Sequence, residues 1–471
     1  MNLRLRAIVA GPVLALSLAA CAAAAQTPPE PAAPAPADSA PAPGPAAAPS
    51  EPFAFADFSW IPGNAGASDR PLTLGPLTGE FRLDDAYHYE FSAPKDGTIS
   101  GSSEAFRHGE FQVTQLGLGG DLLYHNVMGR VMTQFGMYSR TTPRNDASPG
   151  RGQWQLADAY RYISEAYGGY HVDALHGINV QAGIFMSYVG LWSYYNADNW
   201  TYQPSYVSSN TPWFFNGVRV QIFPSDRLKI EPWLINGWQS YGRFNNALGT
   251  GLQLLWRPTG SFAALGNQYL GKDTFGTPDR RRFHSDNSVM VKWRDRPGRL
   301  IDRAAASLTV DFGCEWGDSA LNALPASLPR FLGSAQYFLG FMAYQRVWLD
   351  HDRFGLTVGG GAITNPGRYL VLLPPVNGAT ALSGTPYFTE NPGDPFKAWD
   401  LQLTADYMPR PYVTFRLEYN HRHASVPYFA GSGGMTPPGG NLGAPGSTVE
   451  AWVPDLVPDE NRITAALLVK I

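Results

Sequence analysis

From about residue 83 onward, apolar and polar residues alternate with a period of two, broken at intervals by turn residues. In "WDLQLTADY", Trp399, Leu401, Leu403, Ala405 and Tyr407 alternate with Asp400, Gln402, Thr404 and Asp406. In "VTFRLEYNHR", Val413, Phe415, Leu417 and Tyr419 alternate with Thr414, Arg416, Glu418, Asn420 and Arg422. Successive side chains on a strand point to opposite faces, so each stretch predicts a strand with one dry and one wet side. Between them "MPRP" predicts a tight turn, since proline is excluded from central strands. The ending, "ENRITAALLVKI", contains good helix formers. Its period of two is nevertheless clear: Ile463, Ala465, Leu467, Val469 and Ile471 form one face, and Thr464, Ala466, Leu468 and Lys470 the other.

Read this way, the chain holds about 16 strands, the first near 83–92, the third near 127–138 and the last near 461–471. Short turns ("HN", "PSD", "DHD") alternate with long connections, among them 187–212, 364–396 and 424–460. This asymmetry predicts an all-β fold, a transmembrane antiparallel up-and-down β-barrel over 81–471. Its short turns would be periplasmic, its long loops extracellular and both termini periplasmic. The last strand must pair with the first to remove the open edge. Charges on the lipid face are costly, so strand charges are expected to face the lumen. Strand-end aromatics such as Trp256, Trp293, Trp316, Trp348, Trp399, Tyr407 and Tyr419 read as interface girdles.

Composition agrees. Charged residues are 16%, aromatics 13%, and glycine reaches 50 of 471 residues. No run after residue 26 is long and apolar enough for a spanning helix. A net charge of −4 gives no basis for nucleic acid as a partner. Residues 1–25 read as a bacterial signal peptide, with Arg4 and Arg6 before an apolar stretch from Ile8 to Ala20. Two processing readings stand: a lipobox at 18–21 ("LAAC") that leaves Cys21 lipidated, or cleavage among the small residues that follow. Residues 26–52 are a Pro/Ala-rich tether, and 53–80 a periplasmic lead-in. Cys314 has no partner for a disulfide if Cys21 is removed or lipidated, and reads as a small apolar residue.

Several segments resemble the outer-membrane β-barrel porins described as OmpL-like. These are "LDDAYHYEFSAPKDG" with "HGEFQVTQLGL", "EAYGGYHV" with "GINVQAGIFMSYVGLWSYYNADNWTYQPSY", "GVRVQIFPSDRLKIEPWLINGW", and "DLQLTADYMPRPYVTFRLEYNHR". The resemblance runs from about 83 to 424 and implies a channel-like role.

The candidate pore-lining charges are Arg130, Arg219, Lys229, Glu231, Lys292, Arg346, Asp400, Asp406, Arg416 and Glu418. Opposed rings of cations and anions screen solutes in such pores. The competing reading is salt-bridged packing inside the lumen. Segment 187–212 carries Trp192, Tyr194, Tyr195, Trp200 and Tyr202, candidates for a loop folded inward to constrict the pore, or for surface packing. Arg280, Arg281 and Arg282 form an outer-loop charge run. His284 and Ser285 faintly resemble a hydrolase pair, but their spacing fits no such motif. The chain is therefore read as no enzyme, without catalytic residues, metal or cofactor. The expected role is a water-filled outer-membrane channel for passive or weakly selective diffusion of small hydrophilic solutes. The alternative is a loop-plugged surface structural protein or adhesin. The partners expected are outer-membrane lipids, the barrel-assembly machinery and the solutes, with a homo-oligomer left open.

Overall fold

The computed structural model describes residues 51–63, 71–99, 101–273, 278–317, 330–366, 369, 396–434 and 455–471. The expected signal peptide, Cys21 and nearly all of the Pro/Ala-rich tether lie outside these residues. Sixteen strands form the wall. They are β1 (Leu77–Glu90), β2 (Phe111–Tyr124), β3 (Val127–Thr133), β4 (Ile163–Val172), β5 (Ile178–Met186), β6 (Phe214–Ser225), β7 (Leu228–Ile235) and β8 (Gly249–Thr259). The second half is β9 (Phe262–Gly271), β10 (Arg281–Asp295), β11 (Ile301–Trp316), β12 (Tyr337–Leu349), β13 (Phe354–Asn365), β14 (Phe396–Arg410), β15 (Val413–Ala424) and β16 (Asp459–Lys470). Each pairs antiparallel with its neighbours in chain order. Closure comes from β16 against β1, in a register running from Arg462 opposite Glu90 to Lys470 opposite Arg82. Closure matters because hydrocarbon offers no partner to an unpaired backbone group.

The packing is inverted relative to a soluble protein. On β14 and β15 the apolar residues are outside, with Leu403 47% and Leu417 57% exposed. The polar residues are inside, with Gln402 0% and Glu418 1% exposed. Asp85 departs from this rule. It points outward beside a β-bulge where the β1–β2 register slips between Asp84 and Asp85, and nothing in the structure explains its placement. Trp256, Trp293, Trp316, Trp399 and Tyr407 are exposed as girdle residues should be.

Trp348 corrects the girdle expectation. It shares the inward parity of Tyr344 and Arg346 on β12, and its ring lies 5.7 Å from that of Trp200. The wall also begins four residues before the expected 81, at Leu77, where the short strand Thr73–Leu74 pairs with it. In contrast β3 stops at Thr133, short of 138, because the chain turns inward there. Tyr138 then sits in a short helix and is buried 4.4 Å from the Tyr194 ring. Cys314 is buried at an outward position.

A charge on the outward band tests this assignment. Leu403→Arg should destabilise the barrel by about 2–4 kcal/mol, measured by urea unfolding in lipid vesicles. A change within about 0.5 kcal/mol, as at an ordinary surface site, contradicts a lipid-facing Leu403.

Candidate functional site

Segment 187–213 leaves the wall after β5 and rejoins it at β6. Its polar contacts include β2, β4, β8 and β9, and they reach β1, β12 and β14–β16 on the opposite arc of the ring, so it crosses the lumen. Arg416 on β15 is its main attachment. The guanidinium Nε and Nη2 donate to the two Asp406 carboxylate oxygens at 2.7 and 3.0 Å. Its remaining N–H groups donate to the backbone carbonyls of Asn196, Thr201 and Asn199 at 3.2, 2.8 and 2.8 Å. All five donors of this planar fork are therefore used.

Two wall carboxylates bind backbone amides of the same segment. Glu418 accepts from the Tyr202 and Gln203 N–H groups at 2.6 and 2.8 Å. Asp400 accepts from the Tyr206 N–H and the Ser205 hydroxyl, both at 2.8 Å. Gly361 lies beneath Ser205, where a Cβ would stand 2.5 Å from the serine oxygen. Gly361 thus makes room for the segment. On β1, Asp84 accepts from Asn196 and from the Tyr202 hydroxyl. Arg82 of β1 and Lys470 of β16 hold Asp198 at 3.1 and 2.7 Å. Burial would push the Asp198 carboxyl up, but these two charges outweigh it and hold it below the usual carboxylate range. Tyr202, fully buried, also covers Ala86, Ala466 and Leu468. This accounts for an apolar Leu468 on the inward face of β16.

The aromatic residues of the segment pack inside the barrel. Trp192 lies 4.7 Å from Tyr344, and Trp200 packs on Trp348. Tyr194 contacts Tyr138 and Trp213, and the Tyr195 hydroxyl donates to Glu165. All ten sequence candidates for pore lining lie on inward positions, in two groups. Arg346, Asp400, Asp406, Arg416 and Glu418 are buried against the segment; Arg346 adds a pair with Asp406 and a bond to the Trp200 carbonyl. Arg130, Arg219, Lys229, Glu231 and Lys292 lie away from that contact. Arg130 is paired with Glu80, Asp121 and Glu165. Lys229 is paired with Glu231. The Arg219 guanidinium lies over the Phe185 ring at 4.4 Å, and Lys292 bonds Asp295. A cavity of about 260 Å³ is bounded by Trp192 and Tyr194 of the segment, by Lys229, Gln253 and Arg257 of the wall, and by Ile61 to Gly63.

The sequence reading passed over Arg82, Asp84, Glu460 and Arg462, and gave Lys470 a face but no role. The period-two reading of β16, extended toward its start, reaches Arg462 and Glu460; Glu460 pairs with both Arg462 and Arg422. Arg280 and Arg282 are no solvated charge run, because both pair with the buried Glu315. His284 and Ser285 occupy opposite faces of β10. His284 faces Asp311 inside, and Ser285 bonds Gln268 and Asn287 outside, so the two do not form a catalytic pair.

The chain is similar to several solved structures at low identity. The outer-membrane expressed OmpT of Vibrio cholerae gives a TM-score of 0.47 at 10% identity, covering 85% of this chain and 99% of that one. The outer membrane channel DcaP of Acinetobacter baumannii gives 0.46 at 11%, covering 84% and 97%. An anion-selective porin from Comamonas acidovorans gives 0.46 at 9%, covering 84% and 99%. No functionally curated protein matches in sequence. The profile of the family described as "Putative beta-barrel porin-2, OmpL-like" matches residues 78–442, most of the chain and nearly the whole wall. The chain belongs to this family of outer-membrane β-barrel porins.

Proposed function

We propose that the barrel is a water-filled channel of the bacterial outer membrane, narrowed by segment 187–212. It passes small hydrophilic solutes by passive or weakly selective diffusion. The observation that carries this reading is the attachment of the segment to the far wall through Arg416, Glu418 and Asp400. A segment fixed in this way narrows a pore without sealing it. Trp192, Tyr194, Tyr195, Trp200 and Tyr202 give it apolar surface. Arg130, Arg219, Lys229, Glu231 and Lys292 line the remaining water path. Arg346, Asp400, Asp406, Arg416 and Glu418 act as anchors.

In this reading the short turns and both termini lie in the periplasm and the long loops outside. The apolar outer band meets outer-membrane lipid, and the barrel-assembly machinery inserts the chain. Assembly of several copies is compatible with the same wall. The second reading, a loop-plugged surface structural protein, is favoured by how completely aromatic rings fill the segment's side of the lumen.

Two measurements separate these readings. Purified protein should give single channels in planar bilayers, and deletion of 192–206 should raise their conductance several-fold. Unchanged conductance sinks the narrowing role, and silence of both proteins favours the plugged structural reading. Arg416→Met should act in the same direction by releasing three carbonyls at once. It should also destabilise the barrel by about 3–5 kcal/mol, as for one partner lost from a buried pair. Arg416→Lys, with three donors and no fork, should fall between it and the native protein. Equal conductance for all three would leave Arg416 no part in the narrowing.

A further inference from the structure

Residues 53–63 precede the wall, yet they are packed inside it at the end that carries the short turns. The Phe53 N–H donates to the Asp226 carbonyl in the β6–β7 turn. The Arg257 guanidinium lies over the Phe53 and Phe58 rings at 4.9 and 4.5 Å. Trp60 is 0% exposed, and its indole N–H donates to the Gly260 carbonyl at 3.1 Å. Lys292 sits 5.9 Å from the centre of that ring. Asp57 accepts from Arg303 at 3.1 Å. At its far end the segment meets the lumen segment: the Gly63 N–H donates to the Asp198 carbonyl at 2.8 Å. Gly63 has φ +73°, and a Cβ there would stand 2.2 Å from the Leu191 carbonyl oxygen, so this joint admits only glycine.

From this placement we propose that residues 53–63 are a detachable plug that closes the short-turn mouth of the channel beneath the lumen segment. The inference rests on the channel reading above, which puts that mouth in the periplasm. Ile61, Pro62 and Gly63 bound the same cavity as the lumen segment, so the plug closes one side of a chamber whose other side is the constriction. Its attachment differs in kind from that of the lumen segment. Arg416, Glu418 and Asp400 grip backbone groups of the lumen segment with buried side chains, whereas the plug is held by buried rings, cations at the rings, single hydrogen bonds and the partly exposed Asp57–Arg303 pair. It adds no strand to the barrel sheet. Cations at ring faces and exposed ion pairs are individually weak, and none of these contacts belongs to the strand pairing of the wall. Release of the plug therefore opens the mouth without unfolding the barrel.

A reversible lock tests this. The Ala56 Cβ lies 2.8 Å from where a Cβ on Gly260 would be, so the pair is close enough for a disulfide after a shift of about 1 Å. Ala56→Cys with Gly260→Cys is made in a background where Cys21 and Cys314 are replaced by Ala, and is measured in planar bilayers. Oxidised, the protein should open rarely. Dithiothreitol should raise its open time several-fold, toward that of the same background without the pair. Deletion of 53–63 should give frequent openings with or without reductant. If reduction changes nothing and the deletion variant conducts like the native chain, the plug is overturned. If all variants are silent while the barrel is folded, as shown by heat-dependent gel migration, the channel reading itself is overturned and the plug with it.

Discussion

The placement of one guanidinium organises the interior of this barrel. Arg416 is buried, and its charge is balanced by a bidentate contact with Asp406. A charge removed from water is tolerated when it is paired and every donor has an acceptor. The wall supplies two of those acceptors, and the other three are carbonyl oxygens of segment 187–212. Arg416 therefore needs the segment inside the barrel as much as the segment needs Arg416. Glu418 and Asp400 repeat the logic as acceptors: Glu418 takes two backbone N–H groups of the same segment, and Asp400 takes one together with the Ser205 hydroxyl. The lumen is thus crossed by a segment whose own peptide groups partner Arg416, Glu418 and Asp400 of the wall.

The same rule shapes the remaining interior. Arg422, Glu460 and Arg462 form one paired set, and Arg130 with Glu80, Asp121 and Glu165 another. These clusters alternate along the strands with outward apolar residues, because a period of two places every second residue on the wet side. Lipid demands one face and mutual pairing the other.

Much of the wall was legible for this reason. The alternation in 399–407 and 413–422 gave β14 and β15 with their faces assigned, and the ending resolved as β16 despite its helix-forming residues. Strand ends were less legible where tertiary contacts overrode the pattern. Tyr138 left the expected third strand for the Tyr194 ring, and Trp348 turned inward to Trp200. For the interior, the sequence offered the candidate residues but not their division into those that bind the lumen segment and those held by partners on the wall. That division depends on which wall positions face one irregular segment, and a segment without a period carries no such information. Residues 53–63 were unreadable on the same grounds: they read as a lead-in, and only the fold brings Trp60 to Gly260.

The most direct test is hydrogen exchange at the amides of Tyr202, Gln203 and Tyr206 in the folded barrel in lipid nanodiscs. With their N–H groups held by Glu418 and Asp400, these amides should be protected as strongly as those of β15. Exchange at the rate of an open surface loop would mean that the segment does not lie across the lumen, and would contradict the account.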